Sequence, residues 1–149
     1  MRYGDFMDYN IMDFSPDEII KTGSALSDVS LMIIHKLQRF RTMQGRRVGL
    51  LFNGLASGEH RSTLHPDGLA VDFFLYESDG PFEVDAVRYD LIECGFRGII
   101  VYFNGLVYSF HADLRPGPRW FGVCTITDGD DGDVFTYYNG FKDPRELVA

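Results

Sequence analysis

The chain has 149 residues, 45% of them hydrophobic, which is enough for one cored domain and short for two. Its net charge of −8 argues against a nucleic-acid partner, because neutralising phosphates requires a basic surface. The sequence contains no apolar run of the roughly 18 residues that a membrane span needs, so we expect no membrane partner either.

The N-terminal residues carry acids where a secretory signal would carry cations and a long apolar run. We therefore expect synthesis in the cytoplasm without a signal peptide. Cys94 and Cys124 are too few for a disulfide framework, and their apolar neighbours predict two buried thiols.

Two helices are predicted in the first third of the chain. A capping box that opens at Ser15 and a stop at Gly23 predict a short helix over residues 16–22. Apolar residues recurring at helical spacing predict a longer helix over residues 27–44.

The middle of the chain predicts strands separated by a loop and a helix. Residues 47–55 and 70–76 are typical of strands, and the polar residues 56–68 between them predict a loop. Pro81 is predicted to open a further helix, which Gly95 ends.

A hairpin and a strand-rich tail complete the chain. The Asn-Gly pair at 104–105 predicts that residues 97–103 and 106–112 pair as antiparallel strands. One or two more strands follow Trp120. The acidic residues 128–133 lack the glycine register and the final glutamate of a calcium loop, so we expect an acidic turn.

The order of these elements predicts an α+β fold. We expect a single domain over residues 1–149, with a mostly antiparallel sheet packed by N-terminal helices and one inserted helix. A candidate zinc site lies on that sheet.

Three residues suggest the zinc site. Asp72 is the only charge within an apolar strand, where a carboxylate is costly unless it is paired or bound to metal. His65 lies in the polar loop, and His111 follows an apolar run in the second hairpin strand. Three such ligands leave a fourth position open, as in catalytic zinc sites. On spacing alone, local pairing of Asp72 beside two ordinary histidines is an equal alternative.

The residues around this set resemble a known signature. Residues 63–72 (TLHPDGLAVD) resemble the S-x-H-x-x-G-x-A-x-D motif of the D-alanyl-D-alanine zinc carboxypeptidases. That family includes carboxypeptidases, dipeptidases and phage endolysins that cut peptidoglycan stem peptides. Residues 95–102 and 110–113, with Arg119-Trp120 after them, are similar to the second half of its pattern, closest to the small carboxypeptidase branch. Residues 57–61 are similar to its SG-x-R turn.

The resemblance spans about residues 24–120 and leaves residues 121–149 as a C-terminal extension. It implies a zinc ion held by His65, Asp72 and His111. Arg61 matches the arginine that binds a substrate carboxylate or polarises the scissile carbonyl; a solvent-facing loop cation is the alternative. Thr63, Tyr102 and Trp120 are further candidate substrate-binding residues. Thr63 replaces the usual serine of the motif, and its hydroxyl can still orient a ligand or a loop amide. Tyr102 and Trp120 could form a wall of the cleft, with core packing as the alternative for each.

The general base departs from the family pattern. The family places an acid three residues before its last histidine, where this chain has Tyr108, a poor base at neutral pH. Asp113 is the preferred substitute, since it shares a strand face with His111; orienting His111 is its alternative role. Glu59 is the other candidate base. Neighbouring His60 is expected to be solvated, with contact to substrate as the alternative.

The pattern as a whole predicts a zinc metallopeptidase that hydrolyses an amide bond in peptidoglycan stem peptides or cross-links. We expect a phage or prophage product that is released to the cell wall. The first alternative is a catalytically inactive, zinc-stabilised binding module, because the hedgehog signalling domain has a similar fold and zinc triad. The second alternative is a zinc hydrolase that acts on another amide.

Overall fold

A computed structural model describes residues 1–60 and 63–147 of the chain. Four helices and six strands make up its regular structure. The helices are α1 (Asp5–Asp8), α2 (Pro16–Lys21), α3 (Leu31–Gln44) and α4 (Val84–Glu93). The strands are β1 (Val48–Leu50), β2 (Ala70–Leu75), β3 (Gly98–Phe103), β4 (Tyr108–Asp113), β5 (Trp120–Gly129) and β6 (Gly132–Asn139).

The six strands form one sheet in the order β1-β2-β4-β3-β5-β6. All neighbouring strands are antiparallel except β3 and β5, which are parallel. The α+β prediction is therefore confirmed. The predicted hairpin is also present, with β4 returning beside β3 and inserting between β3 and β2.

Local capping explains where the main helices begin and end. Ser15 makes the predicted capping box with Glu18 at the start of α2. Helix α3 begins at Leu31 and not at residue 27, because residues 26–28 form a separate 3₁₀ turn and Ser30 supplies the N-cap. Gly45 ends α3 in the left-handed conformation, with φ 63°.

Strand β1 and helices α1 and α4 also differ from the sequence predictions. Strand β1 covers only Val48–Leu50 of the predicted residues 47–55. A turn follows, in which the Gly54 amide donates to the Leu51 carbonyl, and the backbones of Leu51 and Gly54 still hydrogen-bond to Asp72 of β2. Helix α4 begins three residues after Pro81, with Glu83 as its N-cap. Helix α1 was not predicted, since it is a four-residue turn without a side-chain cap.

The sheet has one face against the helices and one face that carries the polar site. Phe40 of α3 meets Phe73 of β2 in an edge-to-face contact with ring centroids 5.6 Å apart. Phe73 and Phe110 share that core face. Because side chains alternate along a strand, their neighbours Asp72 and His111 lie on the opposite face.

The C-terminal strands β5 and β6 form a long hairpin at one end of the sheet. Its ladder closes at the pair Gly129–Gly132, which confirms the predicted acidic turn. Cys94 and Cys124 are both buried, as predicted. Within residues 1–60 and 63–147, no helix has the length and apolar character that crossing a membrane requires.

Candidate metal centre

Strand register brings Asp72 and His111 together. The two residues are directly opposed partners between β2 and β4. The first residues of these strands are 38 positions apart in the chain, and a helix and a strand lie between them. Directly opposed residues have Cβ atoms about 5 Å apart on one face of a sheet. His111 Nδ1 accordingly lies 3.0 Å from Asp72 Oδ1.

His65 reaches the same point from the loop before β2. The loop folds into a tight turn in which the Gly68 amide donates to the His65 carbonyl at 2.9 Å. Gly68 has φ 74°, and a side chain there would overlap the backbone of Asp28 and Ser30. The turn therefore needs glycine, and it places His65, which is 3% exposed, over the sheet.

Three potential ligand atoms face one another at this point. His65 Nε2 is 3.2 Å from His111 Nδ1 and 3.4 Å from Asp72 Oδ1. Ligand atoms about 2.1 Å from a tetrahedral zinc ion lie about 3.4 Å from each other, so the observed triangle has the size of one face of a zinc tetrahedron. The rings of His65 and His111 have centroids 5.1 Å apart, which also matches two imidazoles on one ion, about 5 Å apart.

Hydrogen bonds on the far side of each ring fix the orientation of both histidines. His65 Nδ1 lies 2.8 Å from the carbonyl oxygen of Leu55, which only accepts hydrogen bonds, so Nδ1 carries the proton. His111 Nε2 donates in the same way to Asp113 Oδ2 at 2.7 Å. The two remaining ring nitrogens are thereby aimed at Asp72, as ligands held by outer hydrogen bonds are.

The metal-free fold stabilises charge at this point. Burial lowers the pKa of His111, but hydrogen bonds to Asp113 and Asp72 outweigh it and raise the pKa to about 9. Burial raises the pKa of Asp72, yet hydrogen bonds with His111 and His65 lower it to about 2. A proton on His111 therefore balances the carboxylates when no cation does.

Asp113 is fully buried and both of its oxygens are engaged. Arg115 donates from Nε to Oδ1 at 2.9 Å and from a terminal nitrogen to Oδ2 at 2.6 Å. Hydrogen bonds with His111 and Arg115 hold the pKa of Asp113 well below its usual range, against the effect of burial. A Cβ at Gly98 would overlap this carboxylate, so the glycine makes room for it.

This arrangement bears on the predicted general base. Asp113 contacts the side of His111 that faces away from Asp72, which is the geometry of the alternative role, orienting a ligand. Tyr108, at the family's base position, lies on the core face, where its hydroxyl donates to Asp143 at 2.9 Å. Neither side chain reaches the open side of the cluster.

His60 lies closer to the cluster than its sequence position suggested. Its ring stacks on that of His65, with centroids 3.8 Å apart, and its Nε2 lies 2.8 Å from the Ser57 carbonyl oxygen. His60, His65 and Asp72 form a group whose ligand atoms lie within 4.8 Å of one another, which could hold a metal ion.

Two overlapping ligand sets therefore share His65 and Asp72. His111 Nδ1 completes a triangle with His65 Nε2 and Asp72 Oδ1 whose edges measure 3.0–3.4 Å, which favours His111 as the third potential ligand. The rings of His60 and His65 stack in parallel with centroids 3.8 Å apart, closer than the 5.1 Å between the rings of His65 and His111. His60 covers one side of the cluster.

The cluster opens into a cleft of about 930 Å³. Tyr102 and Trp120, both predicted to contact substrate, line it, as do Glu59 and His60. Thr63 is exposed, and it is not among the described residues that line the cleft. Arg61 lies outside the described residues.

Comparison with protein-family models, curated proteins and solved structures finds no match to this chain. The resemblance to the zinc carboxypeptidases therefore rests on the motif residues alone.

The sequence analysis did not anticipate the positions of two cleft residues, Arg115 and His60. No sequence pattern indicated a role for Arg115, because it lies outside the motif residues. His60 was expected to be solvated, and only the folding of its loop over His65 brings it to the cluster.

Proposed function

We propose that this protein is a zinc-dependent peptidase that hydrolyses an amide bond in peptidoglycan stem peptides or cross-links. The observation that supports a metal-dependent hydrolase best is the triangle of His65 Nε2, Asp72 Oδ1 and His111 Nδ1. Two nitrogens and one oxygen are a donor set that zinc accepts, and the set faces an open cleft.

Other residues around the triangle are proposed to orient the ligands and to contact the substrate. A zinc ion bound to this triangle would polarise an amide carbonyl and activate a water molecule near neutral pH. Asp113 and the Leu55 carbonyl hold the two imidazoles in the required tautomers. His60 and Glu59, which line the cleft, are the nearby groups that can hydrogen-bond to the reacting atoms or exchange protons with them.

The substrate class comes from the motif resemblance. The signature in residues 63–72, the strand of residues 95–102 and the His-x-Asp sequence at residues 111–113 are together typical of enzymes that cut peptidoglycan peptides. Arg61 is proposed to bind a substrate carboxylate or the developing oxyanion. The cleft is large enough for a peptide segment, since ligand sites commonly measure roughly 300–1,000 Å³.

Metal content and hydrolysis test this proposal together. The purified chain should carry one zinc ion, measured by elemental mass spectrometry, and should release new amino groups from purified peptidoglycan. Asp72→Asn should lose both properties because it removes one ligand charge, whereas Asp17→Asn on the exposed surface of α2 should keep both. A chain that never retains stoichiometric metal would contradict the proposal.

The second candidate is the zinc-stabilised binding module. It is favoured by one observation: Tyr108 replaces the family acid and lies on the core face. A binding module would retain zinc and bind peptidoglycan fragments, yet release no amino groups from any of them. Hydrolysis by the zinc-loaded chain would exclude it.

A further inference from the structure

One side of the cleft is an aromatic wall built by the C-terminal part of the sheet. The wall consists of Tyr102, Trp120, Ile126, Phe135 and Tyr137. Register explains its composition, since Tyr102 pairs with Cys124, Cys124 pairs with Tyr137 and Ile126 pairs with Phe135. These positions alternate onto the face that carries Asp72 and His111.

The glycine at position 122 shapes the wall. An added Cβ there would lie 2.6 Å from the outer carbon of the Trp120 indole, so the ring lies across the backbone of its own strand. Arg115 contacts the ring through a cation–π interaction, with its guanidinium 5.0 Å from the ring centroid. The indole is therefore a fixed, half-buried surface beside the cluster.

The wall offers apolar surface and neutral hydroxyl groups. Arg115 is the charged residue nearest to it among the described lining residues, and its guanidinium is already bound to Asp113. Burial, with contributions from Tyr137 and Asp72, raises the pKa of Tyr102, so its phenol stays protonated. None of the five residues of the wall carries a charge at neutral pH.

We propose that the aromatic wall binds an uncharged group of the substrate that has a flat apolar face, adjacent to the amide that is cut. This inference rests on the proposed function, whose substrate class is peptidoglycan. There, such a group has two sources: the sugar ring that bears the stem peptide, or an apolar side chain within the stem peptide. Aromatic surfaces in clefts are suited to such groups because they bury large area at low entropic cost.

Strand β6 provides a matched set of variants. Phe135 and Tyr137 face the cleft with 47% and 38% of their surface exposed, while Val134 and Tyr138 face away with 48% and 36% exposed. Tyr137 and Tyr138 are the matched pair, because they have similar exposed fractions and lose the same side chain when truncated. A difference in binding between these two variants then reports the face and not the exposure.

Trp120 is the only tryptophan, so its fluorescence reports occupancy of the wall directly. The experiment titrates the chain with a muropeptide and with the same stem peptide lacking the sugar. Phe135→Ala and Tyr137→Ala should each weaken binding about tenfold, whereas Val134→Ala and Tyr138→Ala should leave it within about twofold. Tighter binding of the muropeptide identifies the sugar ring as the occupant, and equal binding of the two identifies an apolar side chain.

Equal losses from both pairs, or no response of Trp120 to either probe, would overturn the inference. The result is independent of the proposed hydrolysis. Binding that depends on Phe135 and Tyr137 without release of amino groups supports the wall and contradicts the peptidase. Hydrolysis that is unaffected by these two truncations supports the peptidase and contradicts the wall.

Discussion

His111 donates from Nε2 to Asp113 Oδ2 at 2.7 Å, on the side of the imidazole that faces away from Asp72. Asp113 therefore touches the cluster through a ligand and not through the open cleft. A buried carboxylate in this position orients the imidazole and increases its basicity as a ligand.

Asp113→Asn tests that positioning role. The amide carries no charge, so we expect zinc affinity to fall about 10- to 100-fold, measured by competition with a chromophoric chelator. A residue that acted only as a general base would lower turnover and leave zinc affinity unchanged. Asp143→Asn is the control, because Asp143 accepts a hydrogen bond from Tyr108 on the other face of the sheet.

Gly98→Ala should affect the metal without altering any ligand. The added methyl group would overlap the carboxylate of Asp113 and Nε of Arg115, so the carboxylate must move away from His111. We expect weaker zinc binding and a loss of about 1–3 kcal/mol in the free energy of unfolding from overpacking. Gly4→Ala is the control, since the nearest atom to its new Cβ lies 3.9 Å away. Unchanged zinc affinity in Gly98→Ala would argue against the role of Asp113.

His60→Ala should lower turnover and leave zinc bound. The ring is held by stacking on His65 and by the Ser57 carbonyl oxygen, so it presents a fixed polar group beside the cluster. We expect kcat on peptidoglycan to fall about a hundredfold, with Glu59→Ala, which changes an exposed side chain, falling less. If His60→Ala instead loses zinc affinity, His60 is a ligand and the assignment of His111 must be revised.

Metal removal should change how stability depends on pH. Without metal, the pKa of His111 is about 9, above its ordinary value of 6.5, so its charged form stabilises the fold below pH 6.5. That contribution is lost as pH rises through 9. With zinc the dependence on pH reverses, so the stabilisation increases as pH rises, because ligands must be deprotonated to bind the ion.

Thermal melts with zinc and with a chelator measure this effect. The difference in Tm between the two conditions should widen between pH 6.5 and pH 9. His111→Gln should abolish the widening, whereas His35→Gln on α3 should preserve it. A constant difference across this range in the unaltered chain would contradict the assignment of His111 as a ligand.

Much of the local structure could be predicted because its causes are local. The capping box at Ser15 and the left-handed stop at Gly45 each depend on a few neighbouring residues. The Asn104 side chain accepts hydrogen bonds from the Leu106 and Val107 amides, which turns the chain between β3 and β4. Strand β1 was overestimated because strand length depends on the partner, and β2 pairs with only three of its residues.

The chemical types of the residues at the site are evident from the sequence alone. It identified one carboxylate inside an apolar strand, Asp72, and a motif that associates it with His65 and His111. It also determined, through two-residue alternation, that Asp72 and Phe73 lie on opposite faces of their strand.

Which of these groups come into contact depends on the tertiary fold. The insertion of β4 between β2 and β3 opposes Asp72 to His111, and parallel pairing of β3 with β5 places the aromatic wall beside them. The tertiary structure also provides Asp143 as the partner of the Tyr108 hydroxyl on the core face. Alternation fixes a side chain's face within its own strand, but neighbouring strands are chosen by packing between distant segments, which no local pattern records.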